Sequence, residues 1–112
     1  MPVDPRLIGL SRIAGLQKDM RLDALRRAED ERQTLLDRLA SLARRPAVPD
    51  DLSPSVAAEI ALRYDRWADL RRREIELLLR QKTQDCEHLK ALAREAVGRD
   101  DAISRLKSGK KD

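Results

Sequence analysis

Apolar positions recur along this chain in steps of three and four over two long stretches, separated by a segment without that rhythm. The first stretch carries Leu7, Leu10, Ile13, Leu16, Met20, Ala24 with Leu25, Ala28, Leu35, Leu39 and Leu42. The second carries Ile60, Tyr64, Trp67, Arg71, Ile75, Leu78 with Leu79, Lys82, Cys86, Leu89, Ala93, Ala96, Ile103 and Leu106. Such spacing places one stripe along each of two α-helices. Arg71 and Lys82 interrupt the second stripe, but long basic side chains can lie along a seam and carry their charge out to water.

The intervening LARRPAVPDDLSPSVA, residues 42–57, holds three of the five prolines. Pro46 and Pro49 cannot continue a helix, and Asp50 and Asp51 favour a turn. Asp4-Pro5 and Ser53-Pro54 each place a capping oxygen before a proline at the first helical position, where its fixed φ is already helical. The pattern therefore predicts a flexible N-terminus over 1–4, helix 1 over 5–45, a loop over 46–53, helix 2 over 54–106 and a flexible basic tail over 107–112. Helices joined by so short a link pack antiparallel, so the predicted fold is all-α, an antiparallel coiled-coil hairpin. The longer helix 2 is expected to project beyond the start of helix 1. Gly98 leaves two outcomes open: a short third helix capped by Asp100 or Asp101, or an unbroken helix carrying a weak point worth about 1 kcal/mol.

Composition agrees with two narrow stripes. Of 112 residues, 39% are charged and 2% aromatic, and phenylalanine is absent, which suits long helices and leaves little for a deep core. The net charge of +4 is spread over alternating acids and bases, a solvated helix surface and not a nucleic-acid stripe. Arg71, Arg72 and Arg73 fall on different faces, so no nucleic acid is expected as a partner. One cysteine makes no internal disulfide, and MPVDPRLIGL contains no long apolar run; the expected location is cytoplasmic, with membrane contact only through partners.

Catalytic chemistry finds no support. Cys86 and His88 are the only members of their types, and two residues apart on a helix they diverge by about 200°. They cannot share a metal or form a nucleophile pair, and neither a metal nor another cofactor is expected. Tyr64 and Trp67, the only aromatics, have two readings. They are either large seam anchors beside the loop or a partner-binding patch, since two thin helices cannot hide both rings.

LIGLSRIAGLQKDMRLDALRRAEDERQTLLDRLASL, set in a short, charged hairpin, resembles the FliJ-type proteins of flagellar export and the related YscO-like proteins of type III secretion. The likeness runs from Leu7 to Leu106. It implies a stalk-like hairpin whose open end enters the ring of the export ATPase, whose helix 2 contacts the export gate, and which also escorts export chaperones. The family's gate-contacting row, in steps of four, three and four, falls here on Ile60, Tyr64, Trp67 and Arg71; this chain ends the row in arginine. Arg105, Lys107, Lys110 and Lys111 would be the ATPase-ring contacts. Two alternatives stand beside it. One is a secretion chaperone or adaptor. The other is a homo-oligomeric scaffold pairing through outward residues such as Leu36, Leu62, Leu70 and Leu77.

Overall fold

The computed structural model describes residues 4–109 and contains two α-helices, α1 (Pro5–Ser41) and α2 (Pro54–Ser108), paired as an antiparallel hairpin. Among the described residues there is no strand. Both helices begin as their sequences dictate. The Asp4 carboxylate accepts the Arg6 N–H at 2.9 Å, and the Ser53 hydroxyl lies 3.4 Å from the Val56 N–H, so each cap receives a donor that the first turn leaves unpaired.

Helix α1 ends at Ser41, four residues before the predicted Arg45. Its last turn tightens: the N–H groups of Ala43 and Arg44 reach back three residues, to Ala40 and Ser41, both at 3.2 Å. The Ser41 hydroxyl takes the Arg38 carbonyl at 2.7 Å, and Pro46 disfavours helical backbone at Arg45. At the other end α2 continues two residues past the predicted 106, to Ser108, and Gly109 closes it at φ 70°. That left-handed conformation suits glycine, and its N–H bonds to the Leu106 carbonyl at 3.2 Å. Lys107 therefore belongs to the helix and not to a flexible tail. Neither a break nor a third helix forms at Gly98, which lies exposed inside α2.

The hairpin divides into two compact units. One is Glu31–Thr83, with a core of Leu42, Ala68 and Ile75 against which Leu35, Leu39 and Tyr64 pack. Ile75 is the best buried side chain, 1% exposed. Lys82 crosses to Glu31, and Arg32 donates to the Thr83 hydroxyl at 3.1 Å. The lysine stem is thus in the seam with its charge at the rim, as the amphipathic side chain allows. Along this part of α2 the more buried positions include 61, 65, 68, 72, 75, 79 and 82, with 57, 64, 71 and 83 beside them. The series 61, 65, 68, 72, 75, 79 and 82 alternates steps of four and three without interruption, and Leu79 keeps this rhythm while Leu78 turns outward.

The other unit runs up to Asp30 and resumes at Gln84. Its buried positions are small: Ala14 and Ala28 on α1, Ala93 and Ala96 on α2. This overturns part of the predicted α1 stripe, because Leu10, Ile13, Leu16 and Met20 are all exposed. Alanine and the half-buried Ser11, Gly15 and Lys18 occupy the seam in their place. Lys18 donates to Asp100 at 2.9 Å, and this partner holds its pKa above the ordinary 10.5. Counting outward from that pair, α1 continues thirteen residues to Pro5 and α2 only eight to Ser108. So α2 does not project beyond the start of α1. Its extra length instead lies beside the link, which is longer than predicted because α1 stops early.

Candidate partner-binding surface

The link between the helices is held against the first turns of α2. Arg45 pairs with Asp65 at 2.6 Å. The Tyr64 hydroxyl donates to the Arg44 carbonyl at 2.8 Å and stands 3.3 Å from that of Leu42. These are carbonyls that the end of α1 leaves without helical partners, and the tyrosine supplies the missing donor. Pro46 and Val48 lie over Ile60, Ala61 and Tyr64 around a small apolar cavity of about 30 Å³. Tyr64 is therefore a fixed structural post, half-buried between seam and link.

Trp67 stands one turn further along α2 and is 55% exposed. Its ring centroid lies 5.7 Å from that of Tyr64 with the planes tilted at 43°, an inclined aromatic pair. On the same side of α2, in steps of four and three, come Val56, Ile60, Arg63, Trp67, Leu70, Glu74 and Leu77, all exposed. Five of these seven are apolar. The row lies one position before the buried row 57, 61, 64, 68, 71 and 75, so the two run side by side and each repeats at the same spacing.

The predicted quartet thus straddles both rows. Ile60 and Trp67 belong to the exposed one, whereas Tyr64 and Arg71 are half-buried. Arg71 is further tied to Glu74 at 2.8 Å. Leu70 and Leu77 complete the exposed row, and the sequence marked them only as residues outside the seam. Arg72 pairs with Asp69 at 2.9 Å, so two members of the arginine triplet are engaged with carboxylates of their own helix.

Of the predicted ring contacts, Arg105 and Lys107 are exposed on the last turns of α2, and Lys110 and Lys111 lie outside the described residues. Arg105 pairs with Asp101 at 3.2 Å, which tempers the positive charge expected there. Cys86 is half-buried and His88 exposed. Among the described residues no group of three His, Cys, Asp or Glu side chains could hold a metal ion, and no helix is long and apolar enough to cross a membrane. Comparison with protein-family models, curated proteins and solved structures finds no match for this chain.

Proposed function

We propose that this chain is a non-enzymatic protein-binding hairpin of a bacterial flagellar or type III export apparatus, working in the cytoplasm as a stalk between the export ATPase and the export gate. One observation carries the reading: an exposed apolar row on α2, centred on Trp67, whose immediate neighbour Tyr64 is locked to the link. An exposed aromatic anchor set beside a fixed tyrosine and flanked by aliphatic side chains is the usual centre of a protein interface. A helix groove or an amphipathic partner helix would fit it. In the export reading the gate takes Ile60, Trp67 and Leu70, while Tyr64 and Arg71 support them from the half-buried row. Arg105 and Lys107, with Lys110 and Lys111 beyond them, face the ATPase ring.

The test is direct binding of the purified chain to the purified export ATPase and to the cytoplasmic domain of the gate protein. Trp67→Ala is expected to lose the gate, keep its helicity and keep the ATPase. Charge reversal at Arg105 and Lys107 together is expected to weaken the ATPase contact. Binding to neither partner would overturn the reading, and stabilisation by an export substrate alone would favour the chaperone alternative.

A further inference from the structure

The exposed flank of α1 is not used by the reading above. Leu10, Ile13, Leu16 and Met20 stand out from the helix there, Leu16 at 64% and Met20 at 70% exposed, although the sequence spends its largest apolar residues on them. Four neighbouring apolar side chains over three turns form a patch, and a solvated helix gains nothing from such a patch. We propose that this flank binds a second copy of the same chain, antiparallel, about a two-fold axis between Ala14 and Gly15. The inference rests on α1 alone and does not depend on the export reading.

Self-complementarity identifies the occupant. When the helix is laid against its own reversed copy, Ile13 meets the second copy's Leu16, and the symmetry repeats the contact. Met20, long and flexible, meets the second copy's Gly9, where nothing lies within 4 Å of the position a Cβ would take. Beside this strip Arg12 faces the second copy's Asp19, again twice. Both side chains are exposed, and Asp19 acts on its neighbour Lys18 through its charge. One layer further out Arg6 faces the second copy's Asp23, a carboxylate already shared by Arg26 and Arg27 and so a secondary contact.

Parallel pairing gives the opposite result. It would set Arg6 against Arg6, Asp23 against Asp23, Met20 against Met20 and Gly9 against Gly9. Like charges would then oppose each other at both ends, and a gap would lie between the two Gly9 positions. Charge and volume therefore select the antiparallel arrangement, by attraction in one orientation and repulsion in the other.

Sedimentation equilibrium of the full chain tests the proposal. The wild-type protein is expected to show a reversible monomer–dimer equilibrium, and Ile13→Asp to weaken it by about tenfold or more. Arg12→Asp and Asp19→Arg should each weaken it, since every single reversal creates two like-charge contacts, and the double variant Arg12→Asp with Asp19→Arg should restore it. All three positions are exposed, so helicity should not change; if Ile13→Asp nevertheless unfolds the chain, the charge-reversal set decides alone. A wild-type monomer at every concentration overturns the proposal. So does a dimer indifferent to Ile13→Asp in a folded chain, and so does a double variant that fails to recover.

Discussion

The Tyr64 hydroxyl donates to the Arg44 carbonyl at 2.8 Å, and this bond ties the link to the beginning of α2. Tyr64→Phe removes the donor and leaves the ring. The expected cost is about 1 kcal/mol, the net worth of a hydrogen bond of this kind, seen as a melting temperature lower by a few degrees. Binding through the Trp67 row should survive in the folded variant. Trp67→Ala should do the reverse, changing stability by no more than about 0.5 kcal/mol as an exposed position does and removing the interface centre.

Ile75, 1% exposed, and Leu77, exposed two residues later, separate core from surface on a single helix. Ile75→Ala deletes packed methyl groups and should destabilise by about 2 kcal/mol or more. Leu77→Ala should stay within about 0.5 kcal/mol. Urea unfolding monitored by circular dichroism distinguishes them through the shift in midpoint.

Gly98 and Gly109 should respond to alanine with opposite signs. At Gly98 a Cβ would enter open space within a continuous helix, so Gly98→Ala should stabilise by about 1 kcal/mol. At Gly109 the φ of 70° strains any other residue, so Gly109→Ala should fray the end of α2. Thermal melts measure the first, and amide exchange at the last turn of α2 measures the second.

The Lys18–Asp100 pair has a predictable pH signature. The hydrogen bond from Lys18 to Asp100, followed by their charge attraction, raises the lysine pKa above 10.5 in the folded chain. A group raised in this way contributes stability that is fully present below its unfolded value near 10.5 and is lost as pH climbs through the folded value. Stability should therefore show no Lys18-dependent change near neutrality and a decline above pH 10.5. Lys18→Met should remove that part of the decline; melting temperatures of the two proteins from pH 8 to pH 11.5 give the comparison.

The two helix starts were legible in the sequence because proline and its caps act locally: Asp4-Pro5 and Ser53-Pro54 start helices with no help from tertiary contacts. The seam of α2 from Ile75 onward was also legible, since its apolar and small residues keep the helical period. The seam of α1 was not. Alanine, serine and glycine fill it, while a reading weighted by side-chain size follows Leu10, Ile13, Leu16 and Met20 on the other flank. The quartet Ile60, Tyr64, Trp67 and Arg71 divides between an exposed and a half-buried row for a related reason. Two parallel rows one residue apart share the same steps, and spacing alone cannot say which members face inward. The end of α1 depended on Tyr64 and Ser41 capturing carbonyls, one of them through a contact twenty residues away in the chain.

Trp67 is the only tryptophan, so its fluorescence reports on the proposed interface without labelling. Its emission should resemble that of a water-exposed indole and be readily quenched by acrylamide in the free chain. Titration with the cytoplasmic domain of the export gate should shift the emission to the blue and protect it from quencher as the complex saturates. A complex that forms while Trp67 remains as red and as quenchable as before would contradict the account.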